Sequence, residues 1–367
     1  MQVHFIGLME LERTTPQRME SCRLQSPALH HAPLRSRSRF RRAAVACALV
    51  LGSAAVITEA PQEPSYPVTG QSVAPAVTPL VHANCPDPSI LPTGSSYLLS
   101  CTGSRNGAFP LRKSPSLTRW PTAPTAHAFP EGMTPDWTSR GYWAPEIHKV
   151  DGMYVLYYTA ATSAKERCIG VATSTEATGP YTGNGILQCG VGSGAIDPAV
   201  LRTGDGSLYL YWKSDGNSNG KPTGIYMQRL AQDGLQTISK PVLVFGAKEP
   251  WTGGIVEGPS VVEHDGWYYL FYSGNRFATP SYAEGVARAR TPDGPFMPNP
   301  ANPVLSSSNL WYGPGGGSVV HTNGAWYLVY HAYPHGAYHG TRYPFLVPLA
   351  WHADGWPSIV KDSPAGK

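Results

Sequence analysis

The chain has 367 residues, a formal net charge of +4, and compositions of 41% hydrophobic and 14% charged residues. Its basic excess lies wholly in residues 1–60, which hold eight Arg and four Glu. Of the 28 basic and 24 acidic residues, 20 of each remain beyond it, so the charge gives no reason to expect a nucleic-acid partner. The length admits two average domains, or one large all-β domain.

In chain order, Arg35 to Arg42 (RSRSRFRR) is a positive n-region and Ala43 to Ile57 an apolar stretch too short to span a bilayer. Residues 1–60 therefore read as a secretion leader with cleavage near Ala60, and Met19 is an alternative start. Residues 61–80 are a Pro/Ser-rich linker, and residues 81–367 form the folded domain. The expected mature protein is extracellular, monomeric and free of the membrane.

From Val81 onward no long segment has helical periodicity. Short alternating runs separated by Gly, Pro, Asn and Asp predict an all-β fold. Five aromatic strands open on a turn glycine: Gly94 (TGSSYLLSC), Gly152 (DGMYVLYYT), Gly206 (DGSLYLYWK), Gly266 (DGWYYLFYS) and Gly324 (NGAWYLVYH). By subtraction they stand 58, 54, 60 and 58 residues apart. This period suits propeller blades and predicts a five-bladed β-propeller.

Ahead of each turn a shorter element repeats: Asp87-Pro88-Ser89-Ile90, Glu146-Ile147-His148, Asp197-Pro198-Ala199-Val200, Glu257-Gly258-Pro259-Ser260 and Gly316-Gly317-Ser318-Val319. Four of the five begin on a carboxylate. The first strand of a blade lines the central channel, so these carboxylates converge on the axis, and mutually repelling acids gathered there mark a site.

Four cysteines follow the leader: Cys85, Cys101, Cys168 and Cys189. Three pairings are possible; pairing neighbouring strands within one blade favours Cys85–Cys101 and Cys168–Cys189. A zinc site lacks a C-x-x-C pair and His at ligand spacing. There is no P-loop, dinucleotide-binding Gly motif, His-Glu-x-x-His or Gly-x-Ser-x-Gly.

CPDPSI, WAPEIH, AIDPAV, VEGPSVV and the late YHAY and DGWP, in this order and spacing, resemble glycoside hydrolase family 43 over Asn84 to Pro357. That family comprises five-bladed propeller arabinanases, arabinofuranosidases and β-xylosidases. The resemblance implies an inverting glycosidase on plant cell-wall oligo- or polysaccharides. Asp87 takes the place of the general base, Asp197 that of the pKa-tuning acid, and Glu257 that of the general acid. His331 matches the axial histidine that binds calcium or sodium through water in many members, and Arg342 falls where some members carry a substrate-reaching arginine.

The chemistry agrees: inversion needs one carboxylate to activate water and one carboxylic acid to protonate the leaving oxygen, about 6.5 to 9.5 Å apart. Negative neighbours keep one of three acids protonated near neutrality. Trp143 and Trp251 are candidate stacking platforms for a sugar ring, against the plainer reading of packing between blades. Glu146 reads as structural.

Pro86 before the base, where many arabinanases have His, resembles exo-acting members. GPGGGS in the fifth blade, where many relatives carry His, implies that one axial contact is lost. No β-sandwich or carbohydrate-binding module follows in the sequence. Together these favour α-L-arabinofuranosyl linkages, with β-xylosidase and a non-catalytic sugar-binding propeller as the alternatives.

Overall fold

The computed structural model describes residues 78–360. The predicted leader, its cleavage site and most of the linker lie outside them. The repeat becomes five four-stranded antiparallel sheets, each a simple meander. The blades comprise β1–β4 (Ser89–Pro92, Tyr97–Ser100, Gly107–Ser114, Ala126–Pro130), β5–β8 (Arg140–Val150, Met153–Ala161, Arg167–Ser174, Thr182–Gln188) and β9–β12 (Ala195–Arg202, Leu208–Ser214, Gly224–Leu230, Val242–Gly246). The last two are β13–β16 (Val256–His264, Trp267–Gly274, Ala283–Ala289, Met297–Pro298) and β17–β20 (Trp311–Thr322, Ala325–Pro334, Tyr343–Trp351, Pro357–Ile359).

The turn dipeptides make the hairpins. Asp151-Gly152, Asp265-Gly266 and Asn323-Gly324 all have both φ values positive. That is the backbone of a type I′ turn, whose twist matches that of paired strands. The second strand of each blade follows, and its aromatic and aliphatic residues are buried in the seams between blades. One apolar cluster fills each seam.

The first strands β1, β5, β9, β13 and β17 neighbour one another in turn, and β1 lies against β17, which closes the ring. The closing seam packs Val81, Ile90 and Leu99 against Val320 and Val329. Leu80 and Cys85 also donate backbone hydrogen bonds to the carbonyls of Pro344 and Arg342, at 2.7 and 2.9 Å.

Both expected disulfides are present, Cys85–Cys101 and Cys168–Cys189, with sequence separations of 16 and 21. Constraint of the unfolded chain by a loop of this size contributes about 3 kcal/mol. Replacing Cys85 and Cys101 together by Ser should lower the melting temperature by about 6–12 °C. A calorimetric scan with no such drop would show that the apolar contacts of the closing seam suffice.

The shorter repeated element is a β-bulge, in a frame that differs from the sequence alignment. In four blades two residues of the first strand face one aromatic of the second: Ala144-Pro145, Asp197-Pro198, Gly258-Pro259 and Gly316-Gly317 interrupt the register opposite Tyr158, Trp212, Tyr272 and Tyr330. Asp87-Pro88 stands at the same place before β1. The first residue of every pair is left-handed: Asp87 φ 50°, Ala144 φ 45°, Asp197 φ 55°, Gly258 φ 57° and Gly316 φ 59°. The second-blade counterpart of Asp87 is thus Ala144 rather than Glu146, and the fourth-blade counterpart is Gly258, with Glu257 one residue before it. Bulges re-aim side chains at strand ends. Strained non-glycine residues with positive φ gather at functional sites, and here they ring the axis.

Candidate active site

The bulges open into one cavity of about 380 Å³, lined among others by Asp87, Asp197, Glu257, Trp143 and Arg342. Five of the seven residues singled out from the sequence therefore meet there. His331, the sixth, lies buried directly behind Asp87. Trp251, the seventh, does not reach the cavity. Its indole covers Gly274 and Gly285, where an added Cβ would sit 2.4 and 2.7 Å from the ring, and it packs beside Tyr272 at 5.7 Å. Trp251 packs on the middle strands of its blade, β14 and β15, rather than on the cavity.

Asp87 is held from three sides. Thr102 Oγ1 donates to Asp87 Oδ2 at 2.6 Å, Arg342 Nη1 lies 3.3 Å from Oδ1, and the backbone N–H donates to His331 Nδ1 at 3.1 Å. The carboxylate is fixed yet still reaches the cavity.

Asp197 is half-buried on the cavity wall, and desolvation pushes its carboxyl up to about 7. Lys213 opposes that shift, Glu257 and Asp87 add to it, and a hydrogen bond from Gly258 N–H at 3.1 Å opposes it. Glu257 is nearly buried, and its Oε2 lies 2.7 Å from Lys213 Nζ. Burial alone would lower the Lys213 pKa, but the charges of Glu257 and Asp197 outweigh it, so the ammonium stays charged. From the sequence, Asp197 is expected to be the ionised neighbour that keeps Glu257 protonated. In the free site Asp197 itself retains a proton to near neutrality, while Glu257 faces an ammonium. Protons in such a cluster belong to the group of acids as a whole.

Trp143 forms part of the cavity wall, but the Arg167 guanidinium lies 4.6 Å over its ring and Arg167 Nη1 pairs with Asp215 Oδ2 at 2.8 Å. One face of the indole is therefore taken by a cation. Phe277, 48% exposed, stands on the cavity lining with Arg342 5.2 Å over its ring. Phe277 is the open aromatic surface beside the acids, and no repeat pattern pointed to it. Glu146 accepts the Val200 N–H at 2.8 Å, ties the second blade to the third, and also reaches the cavity lining.

A calcium or sodium ion near His331 does not fit these residues. Nδ1 already accepts the Asp87 N–H, and Nε2 lies 3.5 Å from Arg342 Nη1, so a guanidinium occupies the side from which a cation would approach. Burial, then Arg342, holds the imidazole well below its usual pKa and therefore neutral. Among the described residues the one cluster of three potential metal ligands is Glu166, Cys168 and Cys189, and both cysteines are tied in a disulfide.

Glu284 is a further buried acid, absent from the sequence reading. It accepts from Ser273 Oγ at 2.8 Å, and burial raises it to about 8. A carboxyl raised on folding binds a proton that the unfolded chain has already lost. Its stability contribution is complete below pH 4.5 and disappears as pH rises through 8. His331, lowered on folding, acts in the opposite sense only below about 6.5. Between pH 6.5 and 8 the melting temperature should thus fall with rising pH, by a free energy of about 2 kcal/mol from Glu284 and Asp197 together. Glu284→Gln should flatten the slope in a pH series of thermal melts. An unchanged slope would place the proton elsewhere.

Two acids with their hydrogen-bonding partners, a third that retains its proton to neutrality, and an arginine around a propeller cavity define a glycosidase hydrolysing O-glycosyl bonds. Residues 77–357 match the model of the glycosyl hydrolases family 43, and the chain belongs to that family. It is 27% identical over 296 residues to a non-reducing end α-L-arabinofuranosidase of Bacteroides ovatus, covering 77% of this chain and 53% of that relative, about half its length. It is 26% identical over 293 residues to the extracellular endo-α-(1→5)-L-arabinanase 1 of Bacillus subtilis, covering 74% of this chain and 86% of the relative. The crystal structure of a thermostable family-43 glycoside hydrolase superposes with a TM-score of 0.69 at 28% identity, over 78% of this chain and 95% of that one.

Proposed function

We propose that the protein is a secreted, inverting glycosidase that releases α-L-arabinofuranosyl units from plant cell-wall polysaccharides. The observation that carries the reading is the convergence of Asp87, Asp197 and Glu257 on a single cavity of about 380 Å³. Glu257 donates a proton to the leaving glycosidic oxygen. Asp87, oriented by Thr102 and Arg342, takes a proton from the water that attacks the opposite face. Asp197, held against Gly258 N–H, keeps the proton of the cluster available up to near neutrality. Arabinofuranosyl specificity is supported by the two arabinose-active relatives and by Pro86 before the base. Secretion is supported by the leader pattern and by two disulfides, which persist in oxidising compartments.

The test is a panel of aryl α-L-arabinofuranosides and β-D-xylosides with arabinan, arabinoxylan and xylan, read by proton NMR of the first-formed sugar. Release of the β-anomer from an α-arabinofuranoside is expected. Release of the α-anomer would overturn inversion. Turnover confined to β-xylosides would move the specificity to xylose, and turnover of no substrate would favour a sugar-binding propeller.

A further inference from the structure

Each bulge needs an acceptor for the backbone N–H of its left-handed residue, and four of the five are served in the same way. The acceptor is the residue that follows Cys101, Tyr158, Tyr272 or Tyr330, at the end of the second strand of the preceding blade or just beyond it. Thr102 Oγ1 takes Ala144 N–H at 2.7 Å, Thr159 Oγ1 takes Asp197 N–H at 3.0 Å, Ser273 Oγ takes Gly316 N–H at 2.7 Å, and His331 Nδ1 takes Asp87 N–H at 3.1 Å.

In the third blade this place belongs to Lys213. An ammonium has donors only, so it cannot accept. The Gly258 N–H turns instead to Asp197 Oδ2 at 3.1 Å, and Lys213 Nζ reaches Glu257 Oε2 at 2.7 Å. The lysine is 1% exposed. Burying a cation where the other blades use a hydroxyl or an imidazole carries a desolvation penalty that the fold itself does not require. Its charged surroundings are Glu257, Asp197 and Asp215; Asp215 is in turn paired with Arg167. Asp87, paired with Arg342, also acts on Asp197, and Tyr282 and Glu284 feel the charge of Glu257.

We propose that Lys213 is a positioning residue for the general acid: it clamps one carboxyl oxygen of Glu257, so that the other is presented to the glycosidic oxygen. This rests on the assignment of Glu257 as the acid. The ammonium also sets the proton count of the site. With it charged beside Glu257 and Asp197, the last proton of these acids leaves at a lower pH than it otherwise would.

The test uses Lys213→Thr, which supplies the hydroxyl found at this place in the first two blades and so gives Gly258 N–H an acceptor of the kind the other bulges have. Lys213→Met, which keeps the apolar stem without the charge, takes its place if thermal melts show that the threonine variant does not fold. Each is assayed on a methyl glycoside and a 2,4-dinitrophenyl glycoside of the sugar that the panel selects, with Glu257→Gln in parallel. The expected loss in kcat is about 10²–10⁴-fold on the methyl glycoside and under about tenfold on the dinitrophenyl glycoside, whose leaving group needs little protonation. The alkaline limb of kcat/KM should move to higher pH. Equal losses on the two substrates, no loss, or an unmoved limb overturn the proposal. If Glu257→Gln shows the split and the lysine variants do not, Lys213 is structural and the acid assignment stands. If Glu257→Gln shows no split, the acid assignment falls and the proposal falls with it.

Discussion

Glu257→Gln should lose about 10²–10⁴ in kcat on a substrate with a poor leaving group, and Asp87→Asn should lose at least as much. The two should part company on an activated aryl glycoside. A phenolate that departs without a proton bypasses the acid, so Glu257→Gln recovers much of its rate. Asp87 acts on the attacking water, which is the same for every substrate, so Asp87→Asn recovers nothing. The hydrogen bonds sharpen the contrast. Glu257 is anchored at one oxygen by Lys213 at 2.7 Å, whereas both oxygens of Asp87 are engaged, by Thr102 at 2.6 Å and by Arg342 at 3.3 Å. Asparagine at 87 presents an NH₂ toward one of these two donors, which compounds the loss of basicity. Equal rescue of both variants by an activated leaving group would exchange or abolish the assigned roles.

Much of this site was legible before the structure because a propeller writes its geometry as a repeat. A turn glycine in each blade placed five aromatic strands, and the acids ahead of those strands had to converge on the axis. The alignment failed at the bulge. Aligning carboxylate with carboxylate put Glu146 and Glu257 opposite Asp87, whereas the backbone aligns Ala144, Gly258 and Gly316 with it, because the shared property is a left-handed φ ahead of proline or glycine. Such a position does not require an acid, so a repeat of carboxylates does not mark it. Lys213 was within reach of the same repeat. It stands seven residues after Gly206, as Thr159, Ser273 and His331 stand seven after Gly152, Gly266 and Gly324. Phe277 and Arg167 belong to no repeat; their places depend on where a loop and a strand end cross the cavity. Trp251 lies over Gly274 and Gly285 instead of the cavity because spacing from Glu257 does not say which way an indole turns from its loop. His331 is axial as expected, but the sequence could not show that Arg342, eleven residues on, would fill the space beside its ring.

Gly316→Ala should cripple the enzyme through a single methyl group. Gly316 has φ +59°, so any Cβ there carries left-handed strain of about 1–2 kcal/mol. The added atom would also stand 2.5 Å from Cε1 and 2.7 Å from Nδ1 of His331, and 3.0 Å from Asp87 Oδ1. His331 cannot retreat freely, since it is fully buried and its ring stacks on Tyr282 at 6.0 Å and 19°. Overpacking of this kind costs a further 1–3 kcal/mol or so. The shift passes to Asp87, whose N–H the imidazole accepts, and a displacement of about 1 Å at a catalytic group costs on the order of 10² in rate. The glycine run of the fifth blade is thus a fitted seat for the base and its histidine. Gly266→Ala is the control, with φ +70° and nothing within 4 Å of the added Cβ, so it carries the backbone strain alone. Thermal melts should show Gly316→Ala falling further than Gly266→Ala, and only Gly316→Ala should lose kcat. That loss should be the same for methyl and dinitrophenyl glycosides, as expected for damage to the base rather than the acid. If Gly316→Ala turns over like the wild type and melts with Gly266→Ala, the imidazole and Asp87 are not coupled through this contact.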